Sequence, residues 1–261
     1  MKINKLYLRL FDIDLDGAGD QPIPMAILET ASAQKDLAGF DLTGCVFITS
    51  RVFEKGRTDP DLLSNKTAAL LSDLGKKLPG GLPKNLLFDC DWTPATRDGF
   101  FSFLKKMGER FPGHCLSATI RLHQFKFPEQ TGVPPVASGV LMCYNTGELT
   151  NWATENSILD SVSLKKYLRG QVGRYPLPLD VTLPVFGWGL VFRDGLFFKI
   201  INNLDSIQLI DERFEVRYVE FMDRGKYGIV EVFGYADSIQ NIDQNVMMVK
   251  PNRKILSAEP I

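Results

Sequence analysis

Two carboxylates, Asp89 and Asp91, close the apolar run Asn85-Leu86-Leu87-Phe88-Asp89-Cys90-Asp91-Trp92. Alternate residues of a β-strand share a face, so the two are expected to point the same way. Carboxylates are almost never fully buried unless paired, and core packing gives an apolar strand no use for them. Close like charges raise the pKa of one member of a pair, which is how two carboxylates come to divide acid and base work. The same pair can instead be structural, bonded to Arg51 or Arg121 across a barrel interior. A metal held by Asp89, Asp91 and carbonyls alone would suit calcium or magnesium. With no CxxC pair and only two scattered histidines, no metal ligand set and no cofactor is expected.

Other residues able to do chemistry lie just beyond further apolar runs. Arg121 and His123 fall on one face of Cys115–Gln124, Tyr144 and Asn145 end Gly139–Asn145, and Trp188 sits in Gly187-Trp188-Gly189 after Leu179. Asp91, Asp89 and Tyr144 are the catalytic candidates. Trp92, Arg121, His123, Asn145 and Trp188 are the substrate-binding ones. Each has a plainer alternative: an ion-pair partner for Arg121, a hydrogen-bonded rim histidine for His123, a satisfied buried hydroxyl for Tyr144, turn residues for Asp12 and Asp14.

The elements that must position these groups alternate. Strands are expected at Lys5–Asp14, Gly44–Phe53, Asn85–Trp92, Cys115–Gln124, Gly139–Asn145 and Leu179–Leu190, the last interrupted at Pro184. Helices are expected from Asp59-Pro60, with Asp59 as N-cap, and over Thr96–Phe111 and Asn156–Arg169, with a weak one over Pro24–Lys35. Alternation of this kind implies βα units and a parallel sheet. No Gly-rich phosphate loop follows the first strand, which disfavours a doubly wound sheet. The expected fold class is α/β, a (β/α)8 TIM-barrel-like core over residues 1–195, with the alternative that its first βα unit is absent. In such a barrel, residues at the carboxyl ends of the strands share one rim. Strands without intervening helices at Leu196–Asn202, Glu215–Phe221 and Gly228–Tyr235, joined by turns such as Asp223-Arg224-Gly225, imply a β-rich insertion or C-terminal segment over residues 196–261. No pattern is visible over 245–261.

A net charge of −1 gives no electrostatic case for nucleic acid, and no stretch approaches the about 18 apolar residues of a membrane span. No signal peptide opens the chain, so as written it reads as cytoplasmic. Cys45, Cys90, Cys115 and Cys143 lie in or beside strands and are expected to be buried free thiols.

The motifs resemble, in order, those of chitinase-like glycoside hydrolases of family 18, a TIM-barrel family. Asp89-Cys90-Asp91-Trp92 looks like the core of its DxxDxDxE strand, Met142-Cys143-Tyr144-Asn145 like its M-x-Y-[DN] motif, and Leu183-Pro184-Val185-Phe186-Gly187 like its LPxYG segment. The family's proton-donating Glu would fall at Thr93 and its first Asp at Leu86. A threonine cannot be a general acid near neutral pH. Glu148 is a possible replacement acid from a loop. The chain also resembles a bacterial family of barrel proteins of unknown function sharing D-C-D-W-T and R-L-H-Q stretches, which implies a cell-envelope location and a strand ahead of residue 5. Together these resemblances imply a carbohydrate-binding, glycoside-hydrolase-like barrel lacking the standard acid, with a glycan or small-molecule ligand. The alternatives are an active hydrolase using Asp91 and Asp89 with Tyr144, or a structural protein with no sugar ligand.

Overall fold

The computed structural model describes residues 4–18, 21–29, 37–154, 156–193, 196–202, 214–218 and 231–234. These divide into two compact units, one of Met1–Met142 with Tyr167–Thr182, the other of Cys143–Lys166 with Leu183–Ile261.

The first unit is built on a seven-stranded, mostly parallel sheet. Its strands are β1 (Lys5–Leu15), β2 (Pro22–Met25), β3 (Asp41–Ile48), β4 (Asn85–Asp89), β5 (Cys115–Arg121), β6 (Ser138–Met142) and β7 (Leu179–Thr182), in the order β2-β1-β3-β4-β5-β6-β7. All neighbours are parallel except β2, which runs antiparallel along the end of β1. Apart from β2, spatial order is chain order, so each strand is laid beside the last without the reversal of a doubly wound sheet. The sheet also curls. Asp180 of β7 accepts hydrogen bonds from Tyr7 (2.8 Å) and Lys5 (3.2 Å) at the start of β1, five strands away in that order. The row of laterally matched residues that begins at Asp12 runs through Phe47, Asp89 and Thr119 to Val140 and Asp180. It therefore returns to β1 well before its starting point, which is the stagger that tilted barrel strands require. The fold is α/β and TIM-barrel-like.

Helices cover the convex face. α1 (Pro60–Gly75) starts where Asp59 Oδ1 accepts the Asp61 N–H at 2.9 Å with Pro60 in the first turn, and it buries Leu63, Thr67, Leu71 and Leu74. α2 (Arg97–Arg110) buries Phe100, Phe103, Leu104 and Met107. Phe103 meets Phe88 of β4 edge-on at 5.4 Å, and Phe53 meets Phe100 and Phe103. Leu86, Phe88, Val46, Ile48, Ala118 and Ile120 complete this core.

The second unit holds α5 (Ser161–Leu168) in part and a four-stranded sheet of order β10-β11-β8-β9, made of β8 (Trp188–Arg193), β9 (Leu196–Asn202), β10 (Phe214–Tyr218) and β11 (Glu231–Gly234). β8 and β9 pair antiparallel, β8 and β11 parallel.

Several expectations need correction. Leu179–Leu190 is not one interrupted strand: β7 and β8 belong to different sheets. The strand from Cys115 stops at Arg121, and residues Leu122–Lys126 form a short helix, α3, followed by α4 (Pro128–Thr131). The helix expected from Pro24 begins instead as β2, with residues 30–35 outside the described set. Asn156–Arg169 shortens to α5, because Asn156 Oδ1 is occupied by the Ile158 and Leu159 N–H groups in a turn and Asp160 takes the N-terminal N–H groups of Val162 and Ser163. The four thiols are free, but Cys115 is exposed and Cys45 half-buried, since both face the concave side. The turn at 223–225 and the stretch 245–261 lie outside the described residues.

Candidate functional site

The concave face of the first sheet is polar. Parallel register places Lys5, Tyr7, Arg9, Thr43, Cys45, Leu87, Asp89, Ser117, Thr119 and Asp180 on it. A bulge between Arg9 and Phe11 rotates β1, so Asp12 and Asp14 join Arg9 on this same face.

Asp89 ends β4 at the carboxyl rim, half-buried. The Thr119 hydroxyl on β5 donates to its Oδ1 at 2.8 Å and also accepts the Cys90 N–H at 3.3 Å. Burial raises the Asp89 pKa above the ordinary value; the Thr119 bond opposes this, Asp91 and Asp12 add to it, and the positive charge of Arg9 opposes it. Arg9 forks onto both oxygens of Asp12 while its guanidinium lies 5.0 Å above the Phe47 ring. At the same rim, Arg51 forks onto Asp14 at 2.6 and 2.7 Å. That bond, helped by the Thr49 hydroxyl and the Leu15 N–H, holds the Asp14 carboxyl well below the usual carboxylate range. Asp91 is exposed and pairs with Arg121 at 3.3 Å. His123 on α3 is half-buried, and its pKa is lowered by burial and by Arg121, against the influence of Asp91.

The structural alternative for the carboxylate pair thus divides. Asp91 does pair with Arg121, Arg51 belongs to Asp14, and Asp89 has neither. His123 is not on a strand face shared with Arg121, because β5 has ended. Trp92 needs correction as a ligand-binding residue: it is 2% exposed, donates its indole N–H to the Thr131 carbonyl at 3.0 Å and stacks on Phe100 at 5.6 Å, leaving no ring face open. The turn after β4 is locked by Gln124, fully buried, whose amide donates to the Trp92 carbonyl (3.0 Å) and whose oxygen accepts the Arg121 N–H (2.8 Å). Thr93 is exposed at the entry to α2, its N–H bonded to the Thr96 hydroxyl at 2.9 Å, and Leu86 faces the helix layer beside Gly44.

The remaining candidates belong to the second unit. Tyr144 meets Phe186 edge-on at 5.6 Å and Phe186 meets Trp188 at 5.3 Å, while Trp188 donates its indole N–H to the Ser157 hydroxyl at 3.0 Å. Trp188 opens β8 and does not end a strand of the parallel sheet. Exposed Asn145 takes the left-handed conformation (φ 55°), which asparagine tolerates, and so shapes the turn after β6. Glu148 is exposed and accepts from the Thr150 hydroxyl at 3.4 Å.

Arg9, Phe47 and Thr119 were not among the sequence candidates. Their signal is the alternation Lys5-x-Tyr7-x-Arg9 and Ser117-x-Thr119-x-Arg121, polar residues repeating on one face of strands whose other face is apolar. Among the described residues no group of three or more His, Cys, Asp or Glu side chains could hold a metal, and no helix is long and apolar enough to cross a membrane.

No protein-family model matches the chain, and no curated protein matches it. Among solved structures, a chitinase from Rhizomucor miehei is similar over 86% of this chain and 70% of its own, at 9% identity and a TM-score of 0.41. The class of the first unit, an α/β protein with a TIM-barrel-like sheet, rests on its strand order and curl.

Proposed function

We propose that this chain binds carbohydrate on the concave face of its parallel sheet, around Asp89, without the acid that glycoside hydrolases of the resembled family use. The observation that carries this reading is the rim itself. Fixed donor–acceptor pairs (Arg9–Asp12, Arg51–Asp14, Arg121–Asp91) surround a half-buried carboxylate that is held by one hydroxyl. Oriented polar groups of this kind suit the hydroxyl and amide groups of a sugar. The Arg9–Phe47 stack supplies a flat surface beside them. Thr93 supports the loss of chemistry, since its hydroxyl cannot donate a proton at neutral pH. In the second unit, Tyr144, Phe186 and Trp188 form an aromatic cluster of the type on which sugar rings stack.

A glycan array followed by calorimetry tests the reading. Oligosaccharides of N-acetylated amino sugars are the expected ligands, and Asp89→Asn is expected to weaken binding roughly ten-fold or more. An array without hits, or binding unchanged in that variant, overturns it.

A second reading has its own support. Burial raises the Asp89 pKa, the direction a general acid requires, with Asp91 and Asp12 adding to it. A hydrolase would show turnover of chromogenic glycosides that disappears in Asp89→Asn; no turnover by the native chain removes that reading.

A further inference from the structure

The opposite, amino-terminal end of the same sheet holds a cavity of about 460 Å³, within the range of small-molecule sites. Three successive strands begin there with polar residues of the concave register: Asp41 on β3, Asn85 on β4 and Cys115 on β5. Lys84 lines it from the loop before β4, and Leu42, Leu82 and Pro83 supply apolar wall. The loop over it contains Gly80 and Gly81 at φ 81° and 88°, where a side chain would be strained, and a Cβ built on either meets nothing within 4 Å.

One feature of the cavity bears on what it could hold. Several charged side chains elsewhere on this face are paired, Lys5 with Asp180, Arg9 with Asp12 and Arg51 with Asp14, and Asp89 is held by the Thr119 hydroxyl. Among the described residues, the Asp41 carboxylate and the Lys84 ammonium have neither an ion-pair partner nor a side-chain hydrogen bond, although both line one cavity.

We propose that this cavity is a second binding site, for a zwitterion with an apolar body: a short peptide or free amino acid. Its ammonium meets Asp41, its carboxylate meets Lys84 and the Asn85 amide, and its apolar side chain lies on Leu42, Leu82 and Pro83. The site is independent of the carbohydrate reading and lies at the other end of the sheet.

Cys115 is the exposed cysteine of the four and lines the cavity, which makes it a reporter. The probes are leucyl-leucine, its carboxamide and its N-acetyl derivative, added to the full chain with calorimetry and iodoacetamide labelling of Cys115. Leucyl-leucine is expected to bind and to slow alkylation of Cys115. The two derivatives, each missing one charge, should bind roughly ten-fold or more weakly, as should leucyl-leucine with Asp41→Asn or Lys84→Met. Asp41 and Lys84 are both exposed, so neither variant should disturb folding. Absence of heat and of protection with leucyl-leucine overturns the proposal. So does binding that the derivatives match, or that both variants leave unchanged, because the charges would then play no part.

Discussion

The two faces of the parallel sheet follow opposite rules. The convex face is apolar, close-packed and sealed by α1 and α2; Phe88, Phe100, Phe103, Leu104 and Met107 are all fully buried there. The concave face is lined by ions and hydroxyls, and its charges are exposed enough for Arg9 to have a side chain 60% accessible and Asp180 one 63% accessible. In a filled barrel the interior is a second core of branched apolar residues. Here Thr43, Ser117 and Thr119 are buried in that place beside Leu87 and Val140, while Lys5, Tyr7 and Arg9 stay accessible, so the larger apolar core lies on the convex face and the exposed charges of the concave one are open to ligands.

If that division holds, substitutions on the two faces should separate stability from binding. The largest effect is expected from Phe88→Ala, which empties a buried site against Phe103: a loss of about 3–5 kcal/mol in denaturant unfolding. A loss below 1 kcal/mol, by the same measurement, would mean that the convex face is not the stabilising one.

Asp89→Asn should do the reverse, raising stability at neutral pH by about 0.5–2 kcal/mol while weakening ligand binding. The sign follows from the raised folded-state pKa. A carboxyl titrating higher in the folded chain contributes most when protonated, below its unfolded value, and that contribution is lost as pH rises through the folded value. Asn removes the charge that burial disfavours, so the gain of the variant should vanish in acid. A variant less stable than the native chain at neutral pH would make Asp89 a structural carboxylate.

Asp14 sets the opposite pH dependence. Its pKa is depressed by Arg51, so its contribution is present above the unfolded value and is lost as pH falls through the folded one. Titration followed by carboxyl NMR should find Asp14 below the normal range, and Arg51→Met should return it toward ordinary values. A normal titration in the native chain would dissolve that ion pair.

The smallest change is expected from Lys5→Met. Its exposed pair with Asp180 contributes at most about 1 kcal/mol, and Tyr7 still bonds Asp180. A loss much beyond that would show that the contact between the first and last parallel strands holds the curl of the sheet.

Much of the architecture was legible because strands and helices differ in hydrophobic period and carry local signals. Asp59-Pro60 starts α1 as its composition demands, and Phe100, Phe103, Leu104 and Met107, at helical spacing, are core. Less of the site was legible. Trp92 looks identical in sequence to an exposed aromatic beside a carboxylate; only packing under Phe100 and the bond to Thr131 decide otherwise. The segment through Pro184 reads as one strand, yet its two halves pair with different sheets, and pairing is a long-range property.

The sequence by itself determined the α/β alternation, the starts of α1 and α2 and the placing of Asp89 at the end of a strand, since each follows from spacing, caps and burial of nearby residues. Which carboxylates share a face with Asp89 was a tertiary decision. Residue parity puts Asp12 and Asp14 on the face opposite Arg9, but the bulge before Phe11 turns them over beside it. The partners of the charges were settled the same way: Arg51 met Asp14, Arg121 met Asp91, and Asp89 was left with Thr119, because distance in the folded sheet, which sequence spacing does not encode, selects ion pairs.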